Sequence, residues 1–119
     1  MDPRATFFVA VGGFAGALSR HGVAVVAPEP FPWGTLAVNV AGAFALGLFV
    51  YHVELGGAVS DRIRLLLSTG FISSFTTYST FAGETVFLDP AFAALNVAGN
   101  YVLGFSAVLL ARGVIRWRS

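Results

Sequence analysis

Four near-continuous apolar stretches occupy almost the whole of this sequence. About 20 apolar residues in a row are what an α-helix needs to cross the ~30 Å hydrocarbon core of a bilayer. The first stretch covers 5–27, interrupted only by Ser19, Arg20 and His21. It stops at Pro28-Glu29-Pro30-Phe31-Pro32, too proline-dense to continue a helix. The second covers 33–53 and begins at Trp33, and a glycine-containing loop from Leu55 to Asp61 follows it. The third covers 63–88, and Asp89-Pro90 turns the chain into the fourth, 91–114. Arg112, Arg116, Trp117 and Arg118 close the chain with the composition of a membrane-interface belt. Short connections force the helices to run up and down, with both termini on one side. The sequence therefore predicts an all-α integral membrane protein, one transmembrane domain over 1–119.

Charge confirms lipid as the solvent. Only 11% of residues are charged, against about 25% in ordinary soluble domains. Seven arginines and six acidic residues cannot coat a soluble surface, which sets aside a soluble enzyme. The formal net charge of +1, with no Lys, offers no basic face for nucleic acid. Zero Cys removes disulfides, thiol nucleophiles and cysteine metal sites. Met1-Asp2-Pro3-Arg4 precedes the first stretch with one Arg offset by one Asp, so that stretch reads as a retained span and not a signal peptide.

The third stretch departs from the others. From Ser68 to Thr80, eight of thirteen residues are Ser or Thr: Ser68, Thr69, Ser73, Ser74, Thr76, Thr77, Ser79 and Thr80. Such hydroxyls bond back to helical carbonyls and weaken the helix enough for a break near its middle. Broken backbone at membrane depth is tolerated only inside protein or beside a wet cavity. Freed carbonyls there can hold a cation, and amides and hydroxyls can face an anion. Phe71, Phe75, Tyr78 and Phe81 interleave with the hydroxyls, and Tyr78 and Phe81 share a helix face. Ring edges are positive and suit a small anion, although aromatics at this spacing also make ordinary core.

Polar groups recur in register on the neighbouring spans. Thr35 and Asn39 are four apart on the second helix, and Asn96 and Asn100 are four apart on the fourth. Each pair lies along one face as neutral donors, suited to replacing an anion's water or to gluing helices together. Gly12 and Gly16, and Ala41-Gly42-Ala43, read as close helix packing. Arg20 lies before the end of the first span and is expected to snorkel to the headgroups or line a vestibule. Glu84 sits about one turn inside the end of the third span, a gating or hydrogen-bonding candidate. His21 and His52 are near span ends and read as interfacial. Nothing forms a nucleophile–base pair, a phosphate-binding loop or a metal-ligand spacing, so no enzyme is expected.

Three motifs carry a resemblance. They are Gly-x-x-Gly-x-x-x-Arg over Gly13 to Arg20, Gly-Thr-Leu-x-Val-Asn-x-x-Gly over Gly34 to Gly42, and Gly-Phe-x-x-x-x-Thr-Thr-Tyr-Ser-Thr-Phe-x-x-Glu over Gly70 to Glu84. Together they resemble the CrcB/Fluc family of small fluoride channels over essentially the whole chain. The resemblance implies an antiparallel, dual-topology dimer with two fluoride pathways and a central structural sodium ion. It implies that Asn39 lines the pore, that the ring edges of Tyr78 and Phe81 meet fluoride, and that Ser73 and Thr76 hold sodium through backbone carbonyls. Thr35 joins the polar track and Arg20 the vestibule. The family usually has Phe where this chain has Tyr78, a Gly where it has Ser73, and often Tyr and Ser where Asn96 and Asn100 align.

Topology adds an expectation of its own. Arg4, Arg62, Arg64, Arg112, Arg116 and Arg118 fall on the side of the termini and only Arg20 toward the other. Arg bias sets orientation, so the termini are expected in the cytoplasm, with the protein multi-pass in the plasma membrane. A fixed orientation favours pairing with an oppositely oriented homologue, beside the antiparallel homodimer. The size of the chain, too small to enclose a pore alone, favours a dimer in either case. The expected function is passive, fluoride-selective export that lowers fluoride toxicity. The alternatives are a small proton-coupled multidrug transporter, for which Glu84 is the one candidate carrier, and a non-transport membrane-structural protein.

Overall fold

The computed structural model describes residues 2–54 and 56–118, the side chains of Glu54 and Arg118 excepted. Met1, Leu55 at the head of the expected loop, Ser119 and the Arg118 side chain of the expected belt thus lie outside the described residues. Helix α1 spans Pro3–Val26, α2 Trp33–Glu54 and α6 Pro90–Arg118. These three are long and apolar enough to cross a membrane. Between α2 and α6 the third stretch forms a broken element: α3 (Asp61–Arg64), a π-helical segment (Leu65–Ile72), α4 (Ser73–Phe75) and α5 (Tyr78–Phe87). No strand occurs among the described residues.

Local chemistry sets the ends. Asp2 caps α1 by accepting from the Arg4 N–H at 3.0 Å, and Pro3 occupies the first turn, where its missing N–H costs nothing. The proline run then ends α1 at Ala27, which is extended, as a residue before proline must be. Gly56 stops α2 at φ +92°, with Gly57 N–H bonded to the His52 carbonyl at 2.9 Å. That backward bond needs a left-handed residue, which glycine supplies without strain. Ser60 caps α3 through Ile63 N–H, and Asp89 caps α6 through Phe92 N–H at 2.9 Å.

Two lateral pairings follow: α2 lies along α6, and α1 lies along the π-helical segment and α4. The second pairing brings backbones into contact. A Cβ on Gly12 would strike the Leu66 carbonyl, one on Gly16 the Phe71 carbonyl, and one on Gly70 would sit 2.7 Å from the Val9 carbonyl oxygen. Here the expected packing role of Gly12 and Gly16 holds. Across α2 and α6 the approach is closest at Gly47, whose added Cβ would lie 2.9 Å from that of Ala111. The buried interior is small: Phe31, Leu36, Val38, Ile72, Phe81, Ala107 and Ala111, with polar Thr35 and Asn96 among them. Large apolar side chains instead face outward, Phe14, Val26, Phe87, Phe105 and Leu109 among them. An exterior of this kind belongs against lipid tails.

Candidate functional site

The helix break falls at Thr76 and Thr77, both extended (ψ 154° and 120°). A continuous helix would direct Thr77 N–H to the Ser73 carbonyl. Instead it bonds Asn39 Oδ1 at 2.8 Å, and Asn39 Nδ2 donates back to the Thr77 carbonyl at 3.1 Å. One side-chain amide from α2 therefore replaces the peptide partners that the break removes, which is how buried backbone stays satisfied. Thr77 also caps α5, its Oγ1 accepting from Thr80 N–H at 3.1 Å. The Thr76 hydroxyl folds back to the Ile72 carbonyl at 3.1 Å, and its methyl occupies the space that a side chain on Gly42 would need. Gly42, expected only to help helices pack, seats the break itself.

Arg20 serves the same break from α1. It is half-buried, and its Nε donates to the Ser74 carbonyl at 3.1 Å. The residue expected to snorkel thus satisfies a carbonyl at the end of α4, where the negative end of the helix favours a cation.

A cleft of about 320 Å³ opens beside the break. Asn39, Thr76, Thr77, Tyr78, Phe81, Asn100 and Tyr101 line it, with Gly42, Ala43, Leu46 and Ile72. Tyr78 and Phe81 sit with ring centroids 5.8 Å apart. Phe81 is 7% exposed and Tyr78 72%, so one ring is fixed and the other stands at the mouth. Phe81 also meets Tyr101 edge to face at 6.3 Å. Tyr101 was missed from sequence, although it follows Asn100 directly. Among the described residues no ionised side chain lines the cleft.

Hydrogen bonds tie the cleft's amides into one chain. Asn39 Nδ2 donates to Asn100 Oδ1 at 3.1 Å, and Asn100 Nδ2 donates to Asn96 Oδ1 at 3.0 Å and to the Asn96 carbonyl at 2.8 Å. Asn96 Nδ2 donates to Thr85 Oγ1 at 2.8 Å, and Thr85 Oγ1 to the Phe81 carbonyl at 2.7 Å. Asn96 is fully buried and does not line the cleft, whereas Asn100 does. Thr35 and Glu84 belong to a second, smaller pocket of about 110 Å³ beneath the 28–32 loop. There Thr35 Oγ1 donates to Glu84 Oε1. Glu84, half-buried, is thereby a hydrogen-bonded group of the interior.

Ser73 and Thr76 offer oxygen. The Ser73 carbonyl has lost its helical donor to Asn39, and Thr76 stands at the extended turn. Hard carbonyl oxygens fit an alkali cation, while among the described residues no group of three His, Cys, Asp or Glu gathers.

The chain is similar in sequence to known proteins. Residues 7–112 match the family described as CrcB-like protein, Camphor Resistance (CrcB). The chain is 68% identical to a fluoride-specific ion channel FluC 1 of Natronomonas pharaonis, over all of both chains. It is 54% identical to a FluC 1 of Haloarcula marismortui, covering 91% of this chain and 83% of that one. The same organism holds a FluC 2 that is 43% identical over 91% of each chain.

Proposed function

This chain belongs to the CrcB-like protein family, and on that premise we propose that it is a passive, fluoride-selective channel that exports fluoride from the cytoplasm and so lowers fluoride toxicity. The observation that carries the reading is the cleft at the break, walled by neutral amides, hydroxyls and aromatic rings, with no ionised side chain among the described residues. Fluoride gives up its water only to good donors, and a fixed cation would hold it too tightly to release. In this reading Thr35, Asn39 and Asn100 form the polar track with Asn96 bracing Asn100 from behind, Tyr78 and Phe81 turn ring edges to the ion, and Arg20 borders the vestibule. Glu84, bonded to Thr35, adjusts the track's far end and carries no proton across, which separates the channel from a coupled transporter.

The element from Asp61 to Phe87 crosses as two half-helices, the fourth span beside α1, α2 and α6. Two chains pair in opposite orientation, so that the Ser73 and Thr76 carbonyls of both meet around one structural sodium ion at the centre. Doubling the set gives a cation the several oxygen ligands it requires. The Arg distribution places the termini in the cytoplasm and the protein in the plasma membrane. It also favours an oppositely oriented homologue as partner, a reading supported by the two relatives, FluC 1 and FluC 2, of one organism. The test is growth in fluoride of a host stripped of its own exporter. Expression of the chain, with or without a second homologue, is expected to restore growth, and Asn39→Leu to abolish the rescue. No rescue from correctly inserted protein with either partner would overturn the channel.

A further inference from the structure

We infer that Thr85 is a positioning residue for the aromatic pair of the pathway, acting through Asn96. The inference rests on the channel reading above, but its geometry stands apart from it. Thr85 lies one turn beyond Phe81 on α5 and does not line the cleft. Its hydroxyl has a single hydrogen, which goes to the Phe81 carbonyl at 2.7 Å. A carbonyl can only accept, so the hydroxyl has only lone pairs left to offer α6. Asn96 must therefore present its N–H, which it does at 2.8 Å. Its Oδ1 is then left to accept from Asn100 at 3.0 Å, and Asn100 Oδ1 to accept from Asn39 at 3.1 Å. At the other end Asn39 is fixed by Thr77, whose N–H and carbonyl dictate the same orientation.

The relay thus begins at Thr77, the cap of α5, and ends at the Phe81 carbonyl. Tyr78 and Phe81 are held between its two attachments. Asn96, at 0% exposure, has no water to replace a lost partner. An unsatisfied buried amide is costly, so loss of the Thr85 hydroxyl is relieved by movement of α5 against α6. That movement displaces the Phe81 ring from Tyr101 and from Asn100.

The experiment compares fluoride and chloride efflux from liposomes for the wild type, Thr85→Val and Thr85→Ser. Val keeps the shape and removes both bonds; Ser keeps both. Thr85→Val is expected to lower the fluoride-to-chloride ratio about tenfold, the change that about 1.4 kcal/mol produces, and Thr85→Ser to stay within about twofold. Should Thr85→Val fail to assemble, Thr85→Cys, which has the shape of the Thr85→Ser control but is a poor hydrogen-bonding group, takes its place with the same expected direction. An unchanged ratio, or an equal fall in Thr85→Ser, overturns the inference. A second readout needs no flux: hydrogen exchange of the ¹⁵N-labelled Asn39, Asn96 and Asn100 side-chain amides in detergent. All three are expected to exchange slowly in the wild type and Thr85→Ser and to quicken together in Thr85→Val or Thr85→Cys. Quickening at none of them overturns the relay. A wild type that passes no fluoride overturns the channel reading alone.

Discussion

The broken element is gripped on two sides by opposite means. On the α1 side the grip is mostly absence: Gly12, Gly16 and Gly70 let backbone lie on backbone, and the Arg20 guanidinium adds a hydrogen bond to the Ser74 carbonyl. On the side of α2 and α6 the grip is side-chain amides: Asn39 replaces the backbone hydrogen bonds that the break removes, and Asn100 and Asn96 hold Asn39 in place and link it to α5. The difference separates holding from selecting. Close packing without donors can support a bilayer-spanning scaffold but offers an ion nothing. Amides that substitute for backbone must already point into the gap, so the groups that keep the break satisfied also present polarity to the cleft.

Substitutions on the two sides are expected to fail differently. The largest effect belongs to Gly12→Val: its Cβ meets the Leu66 carbonyl and lies 2.9 Å from Phe71 N, backbone that cannot turn aside. A cost on the order of 3 kcal/mol is expected, seen as loss of folded protein by size-exclusion chromatography in detergent. Asn39→Leu is expected to leave the protein folded but cut fluoride flux about a hundredfold, as about 2.7 kcal/mol would, because Thr77 loses both partners. Retained flux would show that the break needs no amide. Arg20→Gln, which keeps a donor but loses the charge at the Ser74 carbonyl, should cost about 1 kcal/mol of thermal stability; a drop as large as that of Gly12→Val would break the contrast. Smallest is Gly104→Ala, where nothing lies within 4 Å of the added methyl. No loss, and a gain of up to about 1 kcal/mol from helix propensity, is expected in the same melting assay.

These contrasts also explain what could be read in advance. The end of α1 and the starts of α2 and α6 were legible because the 28–32 prolines, Asp89 and Pro90 act on their own neighbours, whereas α6 runs on to Arg118, past the expected 114. The existence of a break was legible in the density of hydroxyls. Its place near the middle of 63–88 was expected and the break lies there, but the exact residues were not legible, because eight Ser and Thr are equivalent in sequence and Thr77 is chosen by Asn39 from another helix. The π-helical turn over Leu65–Ile72 carries no sequence mark; its carbonyls are accommodated by glycines of α1. The structure brings Asn39, Asn100, Tyr78 and Phe81 to one cleft. Asn96 instead stands behind it, since its link to Thr85 is a contact between helices. Arg20 was expected to snorkel or to line a vestibule, and its bond to the Ser74 carbonyl was not legible, because the break that frees that carbonyl lies on another helix.

The most direct test of the central claim, that a neutral cleft at a clamped break carries fluoride passively, is ion efflux from liposomes holding the purified protein. Fluoride is expected to leave rapidly down its own gradient while chloride stays, with an electrical shunt present and unchanged when a proton ionophore is added. Chloride leaving as fast as fluoride, or fluoride leaving only along an imposed proton gradient, would contradict it.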